Sequence, residues 1–149
     1  MNRLIKIQKR AIHLVKHEKY NSHTEPLFKS TNTLKLSDLY KINCCKIYYR
    51  TIIQKIHPYH ANLLQTNVET HNRHTRQEND IHTARTSTKL ESQTLNNKVA
   101  TAWSSLPTQL KHIKHLSLKS FNKKLQNYFI SSYKQDCNIQ NCYSCSGTT

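Results

Sequence analysis

The chain has 149 residues but only one glycine, Gly147. Loops that hold phosphate through the backbone need glycines, because the main chain must approach the ligand closely or adopt a positive φ. A nucleotide-binding loop of the Walker or dinucleotide-binding kind is therefore excluded. The chain also contains no run of about 18 apolar residues, which excludes a membrane-spanning helix. Its N-terminus lacks the apolar block and the small-residue cleavage site of a secretory signal peptide.

Acidic residues are scarce as well, and they are not arranged for catalysis. The aspartates are Asp38, Asp80 and Asp136, and no two of them are adjacent. Serines and histidines are plentiful, but no serine stands in the glycine-flanked elbow that presents a nucleophile. We therefore do not expect this chain to be an enzyme on its own.

Basic residues dominate the charge. Lysine and arginine number 23 against 8 aspartates and glutamates, which gives a net charge of +15, with ten histidines in addition. Such a charge favours polyanionic partners, because each cation placed on a phosphate releases condensed counterions. We expect the backbone of RNA or DNA as the partner, although a basic face can also serve solubility alone.

Residues 3–17 have the pattern of a basic amphipathic helix. One half of the helical wheel collects apolar side chains, namely Leu4, Ile5, Ile7, Ala11, Ile12, Leu14 and Val15. The other half collects candidate phosphate contacts, namely Lys6, Lys9, Arg10, His13 and Lys16. Gln8 lies within the apolar arc, and we expect its amide to be paired, since an unpaired one costs about 1–3 kcal/mol. A solvated polar face and a helix lying on a membrane surface have the same profile.

Two further helices are predicted, separated by irregular segments. Residues 20–35 are rich in turn-forming residues and are predicted to be irregular. A helix is then predicted from Ser37, a favourable N-cap, to about Ile56, and its all-round apolar surface is typical of a central helix. A last helix is predicted to start after Ser117 and to run to about Tyr133. Its apolar face consists of Leu118, Phe121, Leu125, Tyr128 and Phe129.

Residues 65–98 are polar and show no sustained period, so they are predicted to be a linker that is flexible or ordered by a partner. The segment holds three arginines that are candidate RNA contacts, Arg73, Arg76 and Arg85. An inert polar linker is the alternative. Trp103 follows among apolar residues, and we expect it to anchor a core rather than to stack on a base.

A cysteine cluster near the end of the chain raises the question of zinc. Three thiols lie within nine residues, those of Cys137, Cys142 and Cys145. A closed structural zinc site needs a fourth ligand, which His112, His115, the pair Cys44–Cys45 or another chain would have to supply. A tail without metal is the alternative. The odd total of five cysteines fits a reducing compartment, so we expect the nucleus or the cytoplasm.

Together these patterns predict a mainly α fold, a small helical domain with three main helices. Residues 1–64 are expected to hold the basic helix, a turn and the central helix, and residues 65–98 the long polar, partly disordered middle segment. Residues 99–133 would hold the tryptophan segment and the last helix, and residues 134–149 an irregular cysteine-containing tail. The apolar fraction of 36% is low for a globular domain, so the core should be small.

Six sequence blocks follow one another in a fixed order along the chain. They are Gln8-Lys9-Arg10, Tyr20 with His23 to Phe28, Leu34 to Tyr40, Thr75-Arg76, Trp103 to Pro107, and Ser117 to Leu125. In this order they resemble the C-terminal, post-polymerase segment of reverse transcriptases from non-LTR retrotransposons (LINE elements), in particular the jockey-like mobile elements. Two positions depart from that family: Ser104 replaces the usual Asn after the tryptophan, and His13 stands where Arg is more common.

The resemblance implies a parent RNA-directed DNA polymerase whose catalytic residues lie outside the matched region. This chain has no Tyr-x-Asp-Asp motif, so the implied role is non-catalytic: binding of RNA or DNA backbone and packing next to the polymerase thumb. Two alternatives stay open. One is a decayed retrotransposon remnant without activity, and the other is a small zinc-stabilised interaction or nucleic-acid-binding protein derived from such an element.

Overall fold

The computed structural model describes residues 2–19, 21–52, 62, 64–83, 86–111 and 116–134. These residues contain seven α-helices, one 3₁₀ turn and no β-strand, so the predicted mainly α class is confirmed. The helices are α1 (Asn2–Lys16), α2 (Thr24–Ser30), α3 (Leu36–Ile52), α4 (Asn67–His71), α5 (Leu95–Ser104), α6 (Thr108–Lys111) and α7 (Leu118–Ser131). None of the described helices is long and apolar enough to cross a membrane.

The chain divides into two compact units. The first consists of Met1–Leu39 and Gln126–Thr149, and the second of Tyr40–Leu125. The core of the first unit joins α1 and α2 to the end of the last helix. Its buried members are Ile12, Leu27, Phe28 and Tyr133, with Ile130 packed against them.

Helix α2 lies inside the segment that was predicted to be irregular, so that prediction is wrong there. Pro26 lies in the first turn, where its missing N–H costs no helical hydrogen bond. Leu27 and Phe28 are buried, and this packing outweighs the turn propensities of the neighbouring residues. The helix stops before Asn32, whose φ of 52° is left-handed, and the Thr33 N–H closes the end by donating to the Phe28 carbonyl at 3.0 Å.

The side chain of Tyr133 connects the last helix to the start of α3. Its hydroxyl donates to Asp38 Oδ2 at 2.7 Å and accepts the Lys35 N–H at 3.0 Å. Burial raises the pKa of Tyr133, which keeps the hydroxyl protonated and able to donate. The ring contacts Phe28 edge to face, with centroids 6.5 Å apart, and Lys35 Nζ lies 4.4 Å from the centre of the same ring.

Helix α3 starts earlier than predicted. The Lys35 carbonyl accepts the Leu39 N–H at 2.9 Å, which places Lys35 rather than Ser37 at the N-cap. The predicted end of this helix lies outside the described residues. Ile42 and Cys45 are fully buried, but Leu39, Tyr40 and Ile47 are 40%, 44% and 36% exposed. The described part of α3 therefore buries one side and is not covered all round, as a central helix would be.

Aromatic side chains form the centre of the second unit. The rings of Tyr48 and Trp103 have centroids 4.3 Å apart, and those of Tyr49 and Phe121 are stacked at 5.2 Å. Trp103 is 2% exposed, and its Nε1 donates to the Asn79 carbonyl at 3.0 Å. The prediction that Trp103 anchors a core is therefore confirmed, and its burial leaves no face on which a base can stack.

The polar segment 65–98 contains short ordered elements. Helix α4 begins with a capping box, in which the side chains of Thr66 and Glu69 each satisfy a backbone N–H of the other residue. Thr66 also forms an isolated antiparallel bridge with Ile81, which is buried. Helix α5 already begins at Leu95. The segment is thus not structureless, and the flexibility predicted for it stays a prediction.

Helix α7 begins as predicted and differs at one position of its apolar face. The Ser117 hydroxyl accepts the Ser120 N–H at 3.2 Å, which is an N-cap contact. Phe121 and Phe129 are buried, but Tyr128 is 36% exposed, so its assignment to the buried face is wrong. The buried residues of α7 lie at every fourth position, so the direction of the buried face turns by about 40° around the helix axis with each step. At the last turn this face is centred on Phe129, and Tyr128 lies about 100° away from it.

We predict that Tyr133→Phe lowers the free energy of unfolding by about 1–3 kcal/mol, because Asp38 and the Lys35 N–H lose a buried partner while the ring packing stays. Urea denaturation followed by circular dichroism measures the change. Tyr128→Phe removes the same group from an exposed side chain and should change the stability by less than about 0.5 kcal/mol. Equal effects of the two substitutions would contradict the role given to the Tyr133 hydroxyl.

Candidate nucleic-acid interface

A pair of hydrogen bonds from Gln8 fixes helix α1 to the backbone that precedes α3. Gln8 Nε2 donates to the Leu34 carbonyl at 2.8 Å, and Gln8 Oε1 accepts the Leu36 N–H at 2.9 Å. The prediction that this amide is paired is therefore confirmed. Because both ends of one amide are held, the rotation of α1 about its own axis is fixed. Gln8 thus determines which side chains of α1 point outward.

Most of the apolar half of α1 is exposed in this chain. Ile12 belongs to the core of the first unit, but Leu4, Ile7, Leu14 and Val15 do not. The exposed fractions are 59%, 60%, 76% and 70% for Leu4, Ile7, Leu14 and Val15. The predicted apolar arc spans half of the helical wheel. Only its edge around Gln8 and Ile12 makes contacts within the first unit. The rest is an exposed apolar face.

His13, a predicted phosphate contact on the basic side of α1, is 7% exposed and is therefore covered rather than open to solvent. The chain reverses direction directly after α1. His17 adopts a left-handed φ of 54°, and the Glu18 N–H donates to the His13 carbonyl at 3.1 Å. The chain then returns alongside the helix, so residues 21–24 lie next to His13.

The returning segment and α1 form an open surface pocket of about 430 Å³, which we call the α1–loop pocket. Its lining residues are Lys6, Lys9, Arg10 and His13 from α1, and Asn21, Ser22, His23 and Thr24 from the loop. Four of the five predicted phosphate contacts of α1 therefore converge on one cavity. Among the residues that the structure describes, no carboxylate lines it.

Two carboxylates lie close to the α1–loop pocket, and they differ in how far they offset its positive charge. Glu25 follows Thr24, but its Oε1 is 2.5 Å from Lys35 Nζ, and this hydrogen bond is the main reason why the pKa of Glu25 is lowered. Its charge is thus balanced by a partner outside the pocket. Glu18 lies at the rim, where its Oε2 accepts the Ser22 hydroxyl at 3.5 Å. Among the described residues, the side chains that line the interior include only positive charges, and the negative charge of Glu18 lies at one side of the rim.

The other predicted contacts lie elsewhere. Lys16 is exposed and does not line the α1–loop pocket. Arg73 lines a second cavity of about 600 Å³ in the second unit, together with Asn67, His71, Thr75 and Gln77. Arg76 is exposed but is not among the lining residues of that cavity, and Arg85 lies outside the described residues.

The loop side of the α1–loop pocket was not among the predicted site residues. Asn21, Ser22, His23 and Thr24 supply an amide, two hydroxyls and an imidazole. A helical wheel compares residues of one helix only, so it cannot show neighbours that a loop contributes. The sequence feature that could have indicated these residues is a run of polar side chains with hydrogen-bonding groups directly after a basic helix.

The described residues do not test the zinc hypothesis. Cys137, Cys142 and Cys145 lie outside them, as do His112 and His115. The cysteines of α3, Cys44 and Cys45, are buried free thiols. Burial raises the pKa of Cys45 to about 12, which disfavours the thiolate that zinc requires. Within the described ranges, no group of three or more His, Cys, Asp or Glu side chains is placed to hold a metal ion.

The α1–loop pocket offers positive charge and hydrogen-bond donors, a combination that suits phosphate oxygens. Comparisons with protein-family models, with curated proteins and with solved structures gave no match. The resemblance to the post-polymerase segment of reverse transcriptases stays a prediction that the six sequence blocks carry.

We predict that Gln8→Leu lowers the free energy of unfolding by about 1–3 kcal/mol, because the Leu34 carbonyl and the Leu36 N–H both lose their partner. Urea denaturation measures this loss. Gln109→Leu makes the same chemical change at an exposed position of α6 and should cost less than about 0.5 kcal/mol. A neutral Gln8→Leu substitution would show that the amide does not fix α1.

Proposed function

We propose that this protein binds the phosphate backbone of RNA or DNA without reading its sequence and without catalysing a reaction. The observation that carries the proposal is the convergence of Lys6, Lys9 and Arg10 on the α1–loop pocket, which no carboxylate lines among the described residues. Each cation that docks on a phosphate releases condensed counterions, and the entropy of their release drives binding. Contacts of this kind position a nucleic acid but do not specify its bases.

The loop residues add the neutral half of a phosphate site. Asn21, Ser22 and Thr24 face the cavity with groups that hydrogen-bond to phosphate and sugar oxygens in protein–nucleic acid complexes. The mixture of lysine, arginine, hydroxyl and amide groups is typical of backbone contacts. This mixture of groups around one cavity supports phosphate binding more directly than the net charge does, because a net charge does not say where the cations lie.

The resemblance to non-LTR retrotransposon reverse transcriptases gives the proposal a context. We propose that the chain is the post-polymerase part of such a protein, with template RNA or target DNA as its nucleic acid. The exposed apolar face of α1 supports the second part of this role, packing next to the polymerase thumb. Leu4, Ile7, Ala11 and Leu14 follow one another at steps of three and four residues, the spacing of a seam that receives another helix.

The phosphate model is tested by removing the charges of the pocket. We predict that Lys6→Gln, Lys9→Gln and Arg10→Gln together weaken binding to a single-stranded RNA by about tenfold or more at ~0.1 M salt. The slope of log K against log salt should fall by about 2, since each lost contact to a single strand contributes about 0.7. Fluorescence anisotropy over a salt series measures both quantities.

The matched control removes the same number of charges from the exposed side of α7, by changing Lys119, Lys123 and Lys124 to Gln. This variant should keep most of the affinity and most of the salt slope. An equal loss in both triple variants would show that the overall charge governs binding, which contradicts the proposal. Affinity that does not change from low to high salt would refute the phosphate model itself.

The packing role is tested at the apolar face of α1. Ile7→Ser with Leu14→Ser should change the free energy of unfolding by less than about 0.5 kcal/mol per site, because both side chains are exposed. We predict that the same variant binds the upstream polymerase segment of the parent at least about tenfold more weakly, because two apolar contacts of the seam are lost. Calorimetry with that segment, expressed from the coding DNA upstream of this chain, measures the affinity.

Leu90→Ser with Leu95→Ser is the control, since these side chains are also apolar and exposed, at 80% and 50%. It should bind like the unchanged protein. Coding DNA upstream without an in-frame Tyr-x-Asp-Asp palm would contradict the proposed origin. Equal binding by the α1 variant and the control would contradict the seam.

A further inference from the structure

We propose that the α1–loop pocket binds a terminal phosphate, the phosphate monoester at the end of a nucleic-acid strand, in preference to the phosphodiesters within the strand. This inference rests on the proposed function, and it names the part of the nucleic acid that the pocket takes.

The shape of the site favours a strand end. An internal phosphate has a nucleotide on either side, and an open row of cations along a helix suits it. The α1–loop pocket is instead walled by α1 on one side and by residues 21–24 on the other, and His13, one of its lining residues, is 7% exposed. Its volume of about 430 Å³ is within the range of small-molecule sites, so it can hold a phosphate together with part of the nucleotide attached to it. A phosphate with a nucleotide on one side only can enter such a recess.

The charge of the site also favours a monoester. A phosphodiester carries one negative charge, whereas a phosphate monoester carries about 1.5–2 at pH 7 and presents three strong acceptor oxygens. Lys6, Lys9 and Arg10 supply three permanent positive charges, and His13 and His23 add ring nitrogens. Because the attraction to a group of cations grows with the charge of the ligand, the more highly charged monoester gains more from this site.

The carboxylate of Glu18 at the rim also bears on the direction in which a bound strand can run. Glu18 accepts a hydrogen bond from Ser22 at 3.5 Å, so its negative charge lies at the Ser22 side of the opening. A strand that continued past Ser22 would bring its next phosphate towards this carboxylate. A strand that ends within the α1–loop pocket avoids the repulsion. Shape, charge and rim therefore favour the same ligand.

The experiment compares three forms of one short, unstructured RNA that carries an internal dye: one with a 5′-phosphate, one with a 3′-phosphate and one with neither. The binding constants are measured by anisotropy on the full chain. We expect at least one phosphorylated form to bind about tenfold more tightly than the unphosphorylated form, which corresponds to one strong charge-assisted contact.

A loop variant connects this preference to the pocket. Ser22→Ala with Thr24→Val removes two lining hydroxyls, and neither is a side-chain cap of α2. It should weaken binding of the phosphorylated RNA more than binding of the unphosphorylated RNA, and so reduce the preference to about threefold or less. Thr101→Val with Ser131→Ala removes two exposed hydroxyls elsewhere and should leave the preference unchanged.

The outcomes separate this inference from the function on which it rests. Equal affinity for the three RNAs, still sensitive to salt, overturns the strand-end inference and leaves backbone binding in place. Absence of salt-sensitive binding to any of them overturns both. Adenosine 5′-monophosphate is the last probe: if it displaced the RNA at concentrations near the dissociation constant of the RNA, the pocket would be a mononucleotide site and the inference would be overturned.

Discussion

The position of α1 depends on the two hydrogen bonds of the Gln8 amide, and the candidate site depends on the position of α1. An isolated helix of this length is marginal in water, so contacts outside the helix must hold it. The amide bonds to Leu34 and Leu36 together, and this fixes the rotation of α1 as well as its place. Ile12 then faces the core, the basic side chains face the returning loop, and a broad apolar face stays outside.

A second set of hydrogen bonds connects distant segments of the first unit through buried polar groups. The Tyr133 hydroxyl joins Asp38 to the Lys35 N–H, so residues far apart in sequence share one small network. Buried polar groups are costly unless each has a partner, and here each partner comes from another segment. The network therefore forms only when the start of α3 and the residues after α7 are both in place. In a chain with 36% apolar residues, such polar contacts supplement a small core.

Local signals in the sequence predicted some elements well, and long-range contacts explain where prediction failed. The periodicity of α1 and the Ser117 cap of α7 are properties of neighbouring residues, so both helices were recognised. Helix α2 forms because Phe28 is buried against distant residues, which turn propensities do not include. His13 is covered by a loop that a helical wheel cannot contain. The cation side of the α1–loop pocket was thus predictable, whereas its loop side and its depth were not.

The central claim is that phosphates bind in the α1–loop pocket. It is tested most directly by a two-dimensional ¹⁵N–¹H NMR titration of the full chain with a short single-stranded RNA. We expect the shifts to concentrate at residues 6–13 and 21–24 and to stay small around Lys119, Lys123 and Lys124. Shifts that are spread evenly over all lysine-bearing segments, or concentrated at residues 71–77, would contradict it.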